Sequence, residues 1–356
     1  MTRVLPLILL VTLLLAACSP RPPVYQEQLL TFGTLVDVTL WNVDEKRGRQ
    51  AVATLARDFD YMHDAWHAWH RGPLGRVNQL LPTGEWFSSP PSIVPLIERS
   101  SELSAASGGL FNPAIGQLIR LWGFASDEAP RGPPPSPQAI RELVAQNPQM
   151  SDLELDGVQL RSRNPAVRLD FGAFAKGYAV DKAIEQLREL GIENAIVNAG
   201  GDLRAIGRHG ERPWRIGIRH PRQSGMLASV DIEGDESVFT SGDYERYFDY
   251  DGKRYQHIID PRSGYPAEGL SSVTVFARQA DVADAAATAI TVAGPDPADW
   301  LPVARALGVS GVMLVDGEGR VQMTPSLRQR IHFDVEPRPE VRYSAPLKSA
   351  APAAEG

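Results

Sequence analysis

Between Leu169 and Asp202 the chain reads LDFGAFAKGYAVDKAIEQLRELGIENAIVNAGGD, and no other stretch limits the fold so narrowly. Ala183, Ile184, Leu187 and Leu190 recur at helical spacing and form one apolar face. A β-type run, Ala195-Ile196-Val197, follows and stops at Asn198-Ala199-Gly200-Gly201-Asp202. The pattern predicts a helix wedged against a sheet, with a glycine-bearing turn at each end.

Asp170, Gly172, Lys176 and Gly177 precede the helix. Glycines at a strand–helix junction let backbone N–H groups approach a phosphate, helped by the helix dipole. The stretch therefore reads as a site for a phosphorylated ligand. Taken singly, A-G-G-D is equally a tight turn and Lys176 equally a solvated helix end. The order D-x-G-x-x-A-K-G-Y-x-V-D, then N-A-G-G-D, resembles the FAD:protein FMN transferase (ApbE) family.

The chain has 356 residues, 43% hydrophobic and 22% charged, which is ordinary globular composition. A net charge of −7 with no basic tract argues against a nucleic-acid surface. Arg3 precedes an apolar run, Val4–Ala17, that suits a signal sequence better than a bilayer span. Leu15-Ala16-Ala17-Cys18 resembles a bacterial lipobox. Residues 1–17 are then a signal peptide, Cys18 the lipidated N-terminus, and residues 18–28 a tether on the periplasmic side of a membrane. Cys18 is the only cysteine, so no intramolecular disulfide exists.

Leu29–Trp41 alternates as a strand, and Phe32-Gly33-Thr34 resembles the family's opening M-G-T. A helix is expected from about Lys46 to His70, with His63, His67 and His70 on one face. Such a face could hold a transition metal. By resemblance the segment is instead an aromatic wall for the flavin ring, supplied by Trp66, His67 or Trp69. A helix over Ile93–Ala106 stops at Gly108-Gly109. Phe111-Asn112-Pro113-Ala114 follows, in which Asn112 and Ala114 replace the family's Asp and Thr; Asn keeps the turn chemistry.

The half beyond Asp202 reads as mostly β, including a hairpin around Asp251-Gly252 whose second strand, Tyr255–Ile259, carries His257. Thr240–Arg246 and His257–Pro266 resemble the family's T-S-G-D-Y-E-R and H-I-x-D-P-x-x-G-x-P. Asp281 is expected to cap a helix through Val292, on which Asp284 and Thr288 face the same way. From spacing alone, this pair is as readily a first-turn charge and a buried hydroxyl as a metal site.

The resemblance implies an α+β, ApbE-like two-lobed fold over residues 29–335; the Pro/Ala-rich residues 336–356 read as a disordered tail. It implies Mg²⁺ held by Asp284, Thr288 and a main-chain carbonyl near Ala173. Lys176 and the Gly200–Gly201 turn would hold the FAD phosphates. Trp69, Asn198, Asp202 and Asp243 would be further ligand contacts. His257 would exchange a proton or contact the ligand. The implied reaction transfers FMN from FAD to a Thr or Ser hydroxyl of an exported or membrane redox protein, releasing AMP. FAD hydrolysis to FMN and AMP, and non-catalytic FAD carriage, are the alternatives.

Overall fold

The computed structural model describes residues 22–347 except 127 and 129, so Cys18 and the signal segment lie outside the described residues. Nine strands form one sheet whose spatial order equals their chain order. They are β1 (Val24–Thr31), β2 (Thr34–Trp41), β3 (Ala195–Ala199), β4 (Asp202–Ile206), β5 (Glu236–Gly242), β6 (Leu270–Ala277), β7 (Gly311–Asp316), β8 (Val321–Met323) and β9 (Val341–Tyr343). Neighbours run antiparallel except β8 and β9, which are parallel.

Three expectations change here. The single strand over Leu29–Trp41 is a hairpin, β1–β2, closed at Phe32 and Gly33, which both take positive φ (52° and 69°). Residues 24–28 of the expected tether belong to β1, and β9 lies within the expected tail. Residues 348–356 are outside the described residues.

Helix α1 (Glu45–Trp66) is capped by Asp44, whose side chain accepts from the Arg47 amide. It stops at His67, which is extended, so the helix ends short of His70. Gly72 and Pro73 then open the next helix, Pro73–Leu80. Helices α2 (Ala175–Glu189) and α3 (Ala280–Ala293) cover the same face of the sheet as α1. Asp281 lies in the first turn of α3 rather than at its cap, which is Gln279.

Strand alternation divides the molecule into two layers. Val36, Val38, Val197, Val273 and Val275 face the helices. Leu203, Ala205, Val238, Phe276 and Met313 face a small sheet built from Trp214–Arg219, Met226–Ile232 and Ile331–Phe333. The expected α+β class is the one observed. At roughly 25 cal/mol per Å² of buried apolar surface, these two cores are the main stabilising contribution.

Candidate active site

One cavity of about 1270 Å³ opens where the end of α1, the start of α2, the middle of α3 and the β3–β4 turn converge. Its wall includes Trp69, Ala173, Lys176, Asn198, Gly200, Gly201, Asp202, His257, Asp284 and Thr288. The sequence separates these residues widely; the sheet order brings them together.

The β3–β4 turn needs its glycines, since Gly200 (φ 71°) and Gly201 (φ 108°) both adopt backbone that favours glycine. A Cβ on Gly200 would lie 2.4 Å from Thr34 Oγ1. The Asn198 side chain fixes the turn by accepting from the Gly201 amide at 2.8 Å. Asp202, first in β4, forms an ion pair with Lys176 and accepts from the Thr240 amide at 2.9 Å. Burial works against the Lys176 charge, but Asp202 and Asp284 outweigh it and hold this ammonium well above the usual lysine range.

The start of α2 has no side-chain cap. Its first-turn amide at Gly177 instead donates to Asp284 Oδ2 at 2.9 Å. Burial pushes the Asp284 carboxyl up to about 7, Lys176 opposes the shift, and Asp202 adds to it. Thr288 stands one helical turn on, half-buried, and Ala173 lines the same cavity. Around the Lys176 ammonium stand Asp202, Asp284 and Glu245, a cluster of oxygen donors, while Arg215, Arg219 and Arg246 line the cavity farther along its wall. That donor set fits a hard cation such as Mg²⁺, which keeps several waters. Among the described residues no three His, Cys, Asp or Glu side chains cluster to hold a metal, so the protein's share would be Asp284, the Thr288 hydroxyl and a backbone oxygen.

His257 falls just after the second hairpin strand, Lys253–Gln256, rather than within it. Its amide and its Nδ1 both lie within hydrogen-bond distance of the Arg246 carbonyl (3.0 and 3.1 Å). Burial first, then the Arg246 charge, pushes its pKa down to about 4.

Of the three aromatic candidates, Trp66 is buried, with its Nε1 donating to the Ser92 carbonyl at 3.2 Å. Trp69 is half-buried at the cavity wall, and its Nε1 donates to Asp170 Oδ2 at 3.0 Å. The Arg246 guanidinium lies 5.6 Å from its ring centroid. His67 stacks on His70 (3.6 Å, 6°) and meets His63 edge-on, so the three rings stay together although the helix ends before His67.

Asp243 is not in the cavity wall. Arg222 grips it with two hydrogen bonds of 2.6 and 2.7 Å, and its amide donates to the Ser271 carbonyl. Asn112 keeps the turn as expected, its Oδ1 accepting from the Ala114 amide and its Nδ2 donating to the Pro148 carbonyl.

Two contributors escaped the sequence reading. Glu245 opens into the cavity, pushed up to about 7 by burial and by Asp202, with Lys176 opposing. It stands inside T-S-G-D-Y-E-R, one residue before the carbonyl that holds His257, and that adjacency was the available signal. Asp170 was seen only as a motif letter, and its grip on Trp69 spans 101 positions.

Residues 32–310 match the profile of the ApbE family. The chain belongs to the ApbE family. A protein of Rhodobacter capsulatus named FAD:protein FMN transferase is 41% identical over 313 residues, covering 88% of this chain but 59% of that protein's length. A Klebsiella pneumoniae (strain 342) protein of the same name is 32% identical over 326 residues, 88% of this chain and 92% of the relative. The crystal structure of an ApbE protein from Thermotoga maritima superposes with a TM-score of 0.78 at 30% identity, covering 86% of this chain and 99% of the other. The apo flavinyl transferase ApbE of Pseudomonas stutzeri gives 0.75 at 31% identity, covering 86% and 96%. The fold is thus common to solved ApbE proteins.

Proposed function

We propose that this ApbE-family chain transfers FMN from FAD to a Thr or Ser hydroxyl of an exported or membrane redox protein, releasing AMP, with Mg²⁺ bound. The observation that carries the reading is the meeting of Lys176, Asp202, Asp284, Thr288 and a neutral His257 in one cavity. Transfer needs charge on phosphate oxygens neutralised, the acceptor oxygen placed in line, and its proton accepted.

Lys176 binds the diphosphate beside the Gly200–Gly201 turn, whose two amides are held by the Leu35 carbonyl and Asn198 Oδ1 and so shape the cavity wall. Asp284, Thr288 and the backbone near Ala173 would hold Mg²⁺, which neutralises phosphate charge. Trp69, oriented by Asp170, provides an apolar face for the flavin ring. The acceptor oxygen forms a bond to the FMN phosphorus while the P–O bond to the AMP phosphate breaks. His257 takes the hydroxyl proton on Nε2, and the anionic diphosphate beside it raises its basicity.

The L-A-A-C sequence supports a lipid anchor at Cys18 and a place on the periplasmic side of a membrane. Among the described residues no helix is long and apolar enough to cross a bilayer.

The test incubates the purified full-length chain with FAD, Mg²⁺ and a Thr-containing acceptor domain, followed by mass spectrometry and AMP detection. Acceptor carrying the FMN mass, together with AMP, is the expected result. AMP without modified acceptor would favour hydrolysis, and intact bound FAD would favour a carrier.

A further inference from the structure

Helices α2 and α3 exchange carboxylates at their N-termini. The first-turn amide of α2, on Gly177, donates to Asp284 of α3 at 2.9 Å. In return, Asp181 of α2 accepts from the first two amides of α3, Ala280 (2.8 Å) on Oδ1 and Asp281 (3.0 Å) on Oδ2. The α3 cap residue, Gln279, makes no side-chain cap hydrogen bond, so Asp181 does that work from another helix. Asp181 is buried, and its Oδ1 also accepts from Arg204 Nη1 at 2.5 Å.

Arg204 lies two residues after Asp202 in β4, on the same face of the strand. The α2 helix is therefore pinned to β4 by two ion pairs of opposite polarity, Lys176 with Asp202 and Asp181 with Arg204. Asp235 closes the outer side of Arg204 with bonds of 2.9 and 3.0 Å. Asp181 thus joins α2, α3 and β4, the three elements that carry Lys176, Asp284 and Asp202.

We propose that Asp181 is a positioning residue that sets the affinity of the Asp284 site for a divalent cation by fixing the start of α3. This rests on the Mg²⁺ reading above. Asp284 follows the Asp181-bound amides by a single turn, so a shift of that end of α3 moves its carboxylate relative to Ala173. An Asn at position 181 keeps one acceptor but turns an NH₂ toward the α3 amides or Arg204, so the exchange cannot be complete.

The experiment titrates the full-length chain with Mn²⁺ in the absence of FAD, followed by EPR. Asp181→Asn is expected to raise the dissociation constant by about tenfold or more, while kcat at saturating metal stays within about twofold. Unchanged Mn²⁺ affinity in the folded variant, with only a lowered melting temperature, would overturn the inference and leave the metal reading intact. A wild-type chain that binds no Mn²⁺ removes both. Should Asp181→Asn not fold, Arg204→Gln keeps the amide bonds but frees Asp181 from its cation. A smaller rise in the constant supports the inference, and no rise overturns it.

Discussion

Nδ1 of His257 lies 3.1 Å from the carbonyl oxygen of Arg246, which also accepts the His257 amide at 3.0 Å. A carbonyl only accepts, so Nδ1 carries the ring hydrogen and Nε2 keeps its lone pair. Burial, then the Arg246 charge, holds the pKa near 4, so the ring is neutral at pH 7. His257→Ala is therefore expected to lower the transfer rate by about 10²-fold or more while FAD still binds, as general-base loss does. Binding measured by flavin fluorescence separates the two effects, and FAD affinity lost in step with rate would assign His257 to binding instead.

The same shift fixes the sign of a pH effect. The unfolded histidine titrates near about 6.5 and the folded one near 4, so between these values the unfolded chain binds more protons. This residue is neutral to stability above about pH 6.5 and destabilises the fold progressively as pH falls to 4. In kcat/KM for the free enzyme, the acid limb from His257 should lie below about pH 5. A limb near 7 belongs to Asp284 and Glu245, whereas a His257 imidazole that titrates at 6.5 by NMR would show that the ring is solvated and that the Arg246 contact does not govern it.

Asp284→Asn separates function from stability. Above pH 7 the buried Asp284 carboxylate is charged at a cost, because burial and Asp202 oppose it more than Lys176 helps. Asn can still accept from the Gly177 amide. The metal-free variant should therefore melt at or above the wild-type temperature at pH 8, whereas Mg²⁺-dependent turnover should fall by about 10²-fold or more. Scanning calorimetry and AMP release measure the two arms; a destabilised variant would contradict the cost of the buried Asp284 charge.

Lys176→Met tests the opposite member of the set. Asp202 is 5% exposed and would be left charged beside Asp284 and Glu245 with no ammonium near it. Breaking a buried ion pair on one side typically costs about 3 kcal/mol, and the partial exposure of Lys176 keeps the value at the low end. Urea unfolding at pH 7.5 should show that loss, shrinking as pH falls and the carboxyls take up protons. A loss independent of pH would assign the effect to packing of the lysine stem.

Local chemistry was legible in the sequence wherever one element contained all its determinants. The α2 periodicity, the Gly200–Gly201 turn and the Asp251-Gly252 turn each carry their own signals and each forms, although Leu190 is exposed at the α2 C-cap and the second hairpin strand is Lys253–Gln256. The β1–β2 turn does not, because its leading residue is Phe32 rather than Asn or Asp, and alternation runs through it uninterrupted. The aromatic spacing of Trp66, Trp69 and His70 likewise extends past the true end of α1. Asp181 was only a motif letter, since its amide partners are 99 and 100 positions away. Asp243 stands outside the cavity wall, and its partner Arg222 lies in a loop that the motif does not include.

Gly177→Ala tests the packing that holds the site together. In an exposed helix this change would stabilise by about 1 kcal/mol through helix propensity. Here the new Cβ would lie 2.4 Å from the Ala280 carbonyl oxygen and 2.9 Å from the Asp281 Cα, both backbone atoms of α3 that no rotamer change can move aside. Overpacking of this kind costs about 1–3 kcal/mol, so the net effect should be destabilising despite the propensity gain. The helices must also part, drawing the Gly177 amide away from Asp284 and raising the Mg²⁺ concentration needed for half-maximal rate. Gly201→Ala is the contrast, because nothing lies within 4 Å of its added Cβ and its strain comes only from φ 108°. That variant should lose stability with little change in metal requirement, whereas a Gly177→Ala chain with wild-type Mg²⁺ dependence would show that α3 does not need α2 to place its carboxylate.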